Sequence, residues 1–114
     1  MQNESSANIS KALFRIDKFS VPEGGKHEFV QRVRETHEFL KTLPGFVRDL
    51  VVEKTSGTGV FNYVTLVEWE SEEAILAARN AVHAHHAALN FNPQELWSRL
   101  GIEADLANYQ KVIL

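Results

Sequence analysis

Cysteine is absent from the 114-residue chain. Its absence excludes disulfide bonds, thiolate metal sites and cysteine nucleophiles, and it is typical of proteins in a reducing compartment. We therefore predict a cytoplasmic protein. The five histidines remain as the side chains whose charge changes near neutral pH, so they are the first candidates for a base or a metal ligand.

Long hydrophobic runs and clusters of basic residues are absent as well. No apolar stretch approaches the roughly 18 residues that a membrane-spanning helix requires. Lys and Arg number 12 against 15 Asp and Glu, a formal net charge of -3, so no basic patch provides the phosphate neutralisation on which nucleic-acid binding depends. We therefore expect neither a membrane nor a nucleic acid as a partner.

The motifs of several common enzyme classes are also missing. The chain has no nucleophile elbow, no phosphate-binding glycine loop, no dinucleotide fingerprint and no calcium loop, which leaves hydrolase, kinase and nicotinamide-dependent activities without support. Its start has neither the basic residues nor the apolar core of a secretory signal. We predict a flexible N-terminal tail over residues 1–11 and a single domain over 12–114.

The first half of the domain predicts a strand followed by a helix. Residues 12–19 alternate in the manner of a strand, with Phe14 and Ile16 on one face and Arg15 on the other. From Lys26 the apolar spacing changes to the helical period. This helix reaches about Thr42, because the proline and glycine that follow cannot continue it.

The second half predicts a hairpin, two helices and a last strand. Segments 46–54 and 60–69 are rich in β-branched and aromatic residues, and the glycines between them allow a tight turn. Ser71 is a favourable helix N-cap followed by two glutamates, so a helix is predicted over 71–89. A short helix over 94–100 and a strand over 106–114 complete the chain.

The resulting order β-α-β-β-α-β, with an antiparallel sheet, is that of the ferredoxin-like α+β fold. Both long helices are expected to cover one face of the sheet. The third strand has apolar residues at both parities, including Val64 and Leu66 on the other face, which indicates burial on both sides. Since a monomer has nothing to cover that second face, we predict a homodimer.

Several short segments carry a family resemblance. They are Pro44-Gly45-Phe46, the strand 62–69 that ends in Trp69, the following Ser71-Glu72-Glu73-Ala74, and the histidine-rich end of the second helix. In these segments the chain, over roughly residues 13–109, resembles the antibiotic biosynthesis monooxygenase family. The resemblance implies a homodimeric α/β barrel with a ligand pocket between sheet and helices. Some members of the family oxidise aromatic phenols or quinols with molecular oxygen and without a bound metal or flavin, so the resemblance makes this reaction a candidate activity.

The resemblance also implies roles for individual positions. Trp69 stands where the polyketide-oxidising members have a pocket-lining tryptophan. Their asparagine four residues earlier is replaced by Thr65, which can hydrogen-bond but has no amide. Haem-degrading members have an aromatic in the second helix and an asparagine on the first strand, where this chain has Ala77-Ala78 and Ile16-Asp17-Lys18. The resemblance therefore favours oxidation of an aromatic over haem breakdown.

Three histidines, His83, His85 and His86, form the densest cluster of side chains that titrate near neutral pH. On a helical projection His85 lies near the centre of the apolar stripe, His86 at its edge and His83 farther round. The three cannot converge on one ion without distorting the helix, so we predict no metal site. His85 or His86 is a candidate base, and the alternative is a hydrogen-bonded histidine at the helix end, which the helix dipole favours.

Arg15 and three residues of the third strand are further candidates. Arg15 could stabilise a phenolate, and the alternative is an inter-subunit ion pair with an aspartate, Asp17 or Asp49. Tyr63, Thr65 and Trp69 share one strand face and could bind a planar ligand, although core packing explains them equally well.

His37 and Trp97 are predicted to contact substrate. The alternative for His37 is a buried neutral imidazole bonded to a carbonyl, and the alternative for Trp97 is a side chain that closes the short helix over the core.

These observations lead to one main functional hypothesis and two rivals. The main hypothesis is a cofactor-independent monooxygenase that oxidises an electron-rich aromatic, polyketide or quinol with molecular oxygen, in which a histidine forms the substrate anion and Arg15 stabilises it. The first rival is a non-catalytic, small-molecule-binding or stress-responsive dimer of the same fold. The second is an isomerase or lyase of small acidic aromatics.

Overall fold

The computed structural model describes residues 12–114, so the predicted tail over 1–11 lies outside the described residues. Four strands, three α-helices and a short 3-10 turn over Glu23–Gly25 make up this part of the chain. In chain order they are β1 (Leu13–Ser20), α1 (Lys26–Leu40), β2 (Phe46–Glu53), β3 (Tyr63–Trp69), α2 (Glu72–Ala88), α3 (Pro93–Leu100) and β4 (Glu103–Gln110).

Local sequence features explain where the helices begin and end. The Ser71 hydroxyl accepts a hydrogen bond from the backbone amide of Ala74 at 3.1 Å and caps α2 as predicted. The side chain of Asn92 caps α3 in the same way, and Pro93 occupies the first turn, where no amide partner is needed. Gly101 ends α3 in the left-handed conformation, with φ 74°.

The sheet is antiparallel throughout and has the strand order β2-β3-β1-β4. Order and direction together confirm the predicted ferredoxin-like α+β fold. Side chains on one face, called the inner face below, pack under the helices in two clusters. Phe19, Phe29 and Tyr63 centre the first cluster, and Trp69 and Ile75 centre the second.

Two strands differ from the prediction. β3 begins at Tyr63 rather than at residue 60, because the bend after β2, in which Gly57 and Gly59 have positive φ, extends through Val60. The Asn62 side chain bonds both backbone groups of Val21, accepting from its N–H at 2.8 Å and donating to its carbonyl at 2.9 Å. β4 covers Glu103–Gln110 rather than 106–114. It pairs with the whole length of β1, so the partner strand rather than its own apolar content sets its limits.

The opposite face of the sheet, called the open face below, carries no helix. Leu50, Val52 and Tyr109 project from it with 54%, 45% and 39% of their surfaces exposed. The apolar character predicted for this face is therefore present. None of the helices within residues 12–114 has the length and apolar character needed to cross a membrane.

Candidate functional site

A polar strip interrupts the core in the middle of the inner face. Arg15 and Asp17 of β1 and Thr65 of β3 lie between the two apolar clusters, and Asp17 is the register partner of Thr65. His37 reaches the same strip from α1 and is only 9% exposed. Because charged and polar side chains in a core cost stability even when they are paired, such a strip favours a binding or catalytic site over plain core packing.

A cavity of about 660 Å³ adjoins this strip on the side of α3, and a smaller one of about 220 Å³ adjoins it on the side of Trp69. Their shared lining consists of Arg15, Asp17, Thr36, His37, Thr65, Arg79 and Val82. The two volumes are therefore lobes of one site, which we call the large lobe and the small lobe. The large lobe alone has the size expected for a small-molecule pocket.

Arg15 and Asp17 form an ion pair inside the site. The Arg15 Nε donates to Asp17 Oδ1 at 2.6 Å. This pair lies within one subunit, whereas the alternative considered for Arg15 was a pair between subunits. Burial raises the pKa of the Asp17 carboxyl, and the neighbouring guanidinium opposes this without reversing it. Arg15 lines both lobes, so its charge is available to a ligand bound in either one.

His37 forms a second polar pair with Asp49. The Nδ1 atom of His37 lies 2.9 Å from Asp49 Oδ2, a contact that orients the imidazole ring. A β-bulge between Phe46 and Arg48 places Asp49 on the inner face. Strict alternation from Phe46 would have placed Arg48 there instead.

His86 is the histidine of the predicted cluster at the end of α2 that has the properties of a base. It lines the large lobe, and its ring meets the Phe91 ring edge-on with centroids 5.0 Å apart. Burial lowers the pKa of His86, and the positive charges of His85, His83 and Arg32 lower it further. At neutral pH the imidazole is therefore unprotonated and can accept a proton.

His85 occupies a different environment. Its ring stacks on Phe39 of α1, with centroids 4.0 Å apart and planes 3° apart, and it lines neither lobe. His85 thus joins α1 to α2 by ring stacking.

The aromatic candidates also differ in whether they line the site. Trp69, 2% exposed, lines the small lobe, and Trp97 lines the large lobe beside Phe19, with ring centroids 5.8 Å apart. Tyr63 lines neither lobe and packs in the core, where its ring centroid lies 5.1 Å from that of Phe29. Burial raises the pKa of the Tyr63 hydroxyl.

Several lining residues were not predicted as site residues from the sequence. Arg79, Thr36 and Phe91 were not considered, and Asp17 was considered only as a partner of Arg15. Asp17 shares the parity of Phe19 on β1, so strand alternation could have found it. Within residues 12–114, no group of three His, Asp or Glu side chains is placed to hold a metal ion.

A comparison with models of known protein families shows which family the chain belongs to. Residues 13–89 match the model of the antibiotic biosynthesis monooxygenase family. The chain belongs to this family. The match contains the polar strip of β1, Trp69 and the histidines of α2, and it ends before α3. No curated protein sequence matches significantly.

Solved structures share the fold of this family member at low sequence identity. SnoaB, a cofactor-independent oxygenase from Streptomyces nogalater, superposes with a TM-score of 0.66 at 20% identity over 91% of this chain and 96% of its own. The haem-degrading protein MhuD from Mycobacterium tuberculosis, with two haems in its active site, gives 0.66 at 25% identity over 89% and 96%. A conserved protein from Methanosarcina mazei gives 0.70 at 18% over 94% and 99%.

Two of the segments that carry the family resemblance meet in space. Gly45 adopts φ 85°, and a Cβ atom placed on it would collide with the Cβ of Ala74 in the first turn of α2. The Gly45 carbonyl accepts a hydrogen bond from the Glu70 amide at 2.9 Å. Phe46, the next residue, packs edge-on against Trp69 with centroids 5.8 Å apart. This contact holds the wall of the small lobe in place.

Proposed function

We propose that the protein is a cofactor-independent monooxygenase that oxidises an electron-rich aromatic, a polyketide or a quinol, with molecular oxygen. The observation that carries the proposal is the large lobe, in which the unprotonated base His86 and the cation Arg15 line one cavity with aromatic walls. Membership of the family and the likeness to SnoaB support the same reaction type. The cytoplasmic location inferred from the sequence stays a prediction.

The proposed chemistry begins with removal of a phenolic proton by His86. The phenolate is rich in electrons, and Arg15 stabilises its negative charge. The anion transfers one electron to oxygen, and the resulting radical and superoxide combine to a peroxide at the ring carbon. Protonated His86 returns its proton to the peroxide. Loss of water, which takes the single hydrogen of that ring carbon and the outer O–H of the peroxide, then leaves a carbonyl, so that a phenol and O₂ become a quinone and H₂O.

The other site residues are proposed to bind and orient the ring. Trp97 contacts it in the large lobe, and Trp69 limits how far it extends into the small lobe. Thr65 and His37 supply polar contacts at the junction of the lobes. Tyr63 acts indirectly, because its packing against Phe29 supports the strand that carries Thr65. A near-attack arrangement of this kind supplies much of the rate enhancement of an enzyme.

Oxygen consumption tests the proposal. Purified protein treated with a chelator is mixed with a panel of polycyclic phenols and hydroquinones in an oxygen-electrode cell. We expect saturable uptake on at least one of them, with one atom of isotopically labelled O₂ in the product. Uptake no faster than in buffer on every compound would contradict the proposal and favour a non-catalytic binding protein. Conversion of a substrate without oxygen would instead favour an isomerase or lyase.

We also propose that the protein is a homodimer joined through the open face. Leu50 and Val52 are about half exposed there, an unfavourable arrangement unless a second sheet covers them. Light scattering on a sizing column is expected to give twice the mass of the chain for the natural protein and the mass of one chain for Leu50→Glu. The matched control is Leu76→Glu on α2, where the leucine is 51% exposed. A monomeric natural protein, or a dimer unaffected by Leu50→Glu, would contradict the assignment.

A further inference from the structure

The large lobe has an excess of positive charge that the chain as a whole does not share. Arg15, Arg32 and Arg79 line it, whereas Asp17 is its one acidic residue in the described part of the chain. The complete sequence has a formal net charge of -3. The positive potential is thus concentrated at the cavity, where it favours a negatively charged ligand.

The three arginines differ in how far their charge is already compensated. Arg15 is paired with Asp17 at 2.6 Å. Arg32 is paired with Glu35 at 3.3 Å and also lies over the Phe91 ring, 4.3 Å from its centroid. Arg79 has no carboxylate within 4.0 Å among residues 12–114. Its guanidinium therefore has donors available for an anion.

The position of Arg79 on α2 places it in line with the proposed base. Arg79, His83 and His86 follow one another at intervals of four and three residues, which puts them on one ridge of the helix. With a rise of about 1.5 Å per residue, Arg79 and His86 are separated by roughly 10 Å along the helix axis. All three line the large lobe, whose other walls include Phe29, Phe91 and Trp97. A fused-ring molecule can bridge this interval.

We propose that the substrate is a fused-ring aromatic acid whose carboxylate is bound by Arg79 and whose hydroxyl-bearing ring reaches His86. The inference rests on the proposed function, which makes the large lobe the substrate site. A guanidinium binds a carboxylate through two parallel, charge-assisted hydrogen bonds. The aromatic walls cover the rings, and the carboxylate stays at the exposed side chain of Arg79, where its desolvation cost is small.

The test is a comparison of an acid with its methyl ester. Binding of 6-hydroxy-2-naphthoic acid, whose carboxylate and hydroxyl lie at opposite ends of the two fused rings, and of its methyl ester to the natural protein is measured by titration calorimetry without oxygen. We expect the acid to bind about tenfold more tightly, the effect of one charge-assisted contact at a partly exposed site. The variant Arg79→Gln is expected to bind the acid about tenfold more weakly and the ester unchanged. In Arg79→Lys, which keeps the charge but not the paired donors, we expect an intermediate preference.

Arg34→Gln is the matched control. Arg34 is exposed on α1, bonds only Gln31 among the described residues, at 3.2 Å, and lines neither lobe, yet its replacement removes the same charge. This variant is expected to keep the full preference for the acid. Equal affinity for acid and ester in the natural protein, or equal weakening of both by Arg79→Gln, would overturn the inference. Because oxygen is excluded, these outcomes are separate from a failure of the oxidation itself, which the oxygen-uptake assay reports.

Discussion

Replacement of His86 by glutamine is expected to lower kcat/KM for oxygen uptake by about 100-fold or more, the usual contribution of a positioned general base. Glutamine retains a side chain of similar length and a hydrogen-bonding amide, but it cannot accept the phenolic proton. The ring contact with Phe91 is lost as well, although both residues line the large lobe and neither belongs to the two core clusters. The expected loss therefore reports the missing base.

The control for this substitution is His27→Gln. His27 is exposed in the first turn of α1 and lines neither lobe, so we expect kcat/KM to stay within about twofold of the natural value. Binding of a non-oxidisable phenol ether, which has no proton to remove, is expected to be equal in His86→Gln and the natural protein. A His86 variant with undiminished turnover would exclude His86 as the base.

The pH dependence of kcat/KM is an independent test of whether His86 is the base. A base acts only when it is unprotonated, so kcat/KM is expected to fall as the pH falls through the pKa of His86. Burial and the neighbouring cations lower that pKa below the ordinary histidine value of 6.5, so activity persists below pH 6.5 and is lost at more acidic pH. In His86→Gln this acidic limb is expected to disappear. A limb that begins above pH 6.5, or one that survives the substitution, would identify a different group.

Alternation along the strands was sufficient to predict most of the inner face. Leu13, Arg15 and Phe19 on β1 and Thr65 and Trp69 on β3 all face the helices, as their parity indicated. Both strands are central in the sheet and regularly paired, so the period of two holds along their length.

Alternation fails on β2, where the bulge after Phe46 moves each later residue of the strand to the face opposite the one that its position predicts. Asp49 thereby comes to face His37, a pairing that the residue types alone did not indicate. A bulge depends on how two strands pair across space, and the sequence of one strand does not contain that information.

The helical projection of α2 predicted which way each histidine side chain points, but not which residues of other elements pack against it. It placed His85 nearer the centre of the apolar stripe than His86, yet Phe39 of α1 fills the space in front of His85. His86, at the edge of the stripe, faces the large lobe beside Phe91, which follows the end of α2. Which of two adjacent side chains reaches a cavity depends on the packing of other elements, and a single-helix pattern does not carry that information.

Replacement of Gly45 by alanine is expected to destabilise the fold by about 3 kcal/mol, more than any other single alanine substitution at a glycine in the described residues. Two costs add at this position. The φ of 85° is unfavourable for any residue with a Cβ, and that atom would collide with the Cβ of Ala74. Urea unfolding at fixed protein concentration measures the loss, and a decrease of the midpoint at constant m-value is the expected form.

Two other glycines separate these costs. Gly101 has a similar φ of 74°, but a Cβ there would make only an ordinary contact, 3.5 Å from Pro22 Cγ, so Gly101→Ala reports the cost of the backbone conformation. A Cβ on Gly24 would meet nothing within 4 Å, and its φ is not positive, so Gly24→Ala is expected to be nearly neutral. If Gly45→Ala cost no more than Gly101→Ala, the close approach of Gly45 to α2 would be disproved.

A double-mutant cycle isolates the collision itself. Ala74→Gly alone is expected to cost about 1 kcal/mol, because glycine is a poor helix former. Combined with Gly45→Ala it removes the colliding methyl group, so the double variant should be more stable than the sum of the single losses predicts, by about 1–2 kcal/mol. Strict additivity would show that the two residues do not touch. A positive coupling would establish that the Pro-Gly-Phe turn and the first turn of α2 pack together directly. The family resemblance in these segments would then reflect a steric requirement that positions Trp69 at the wall of the site.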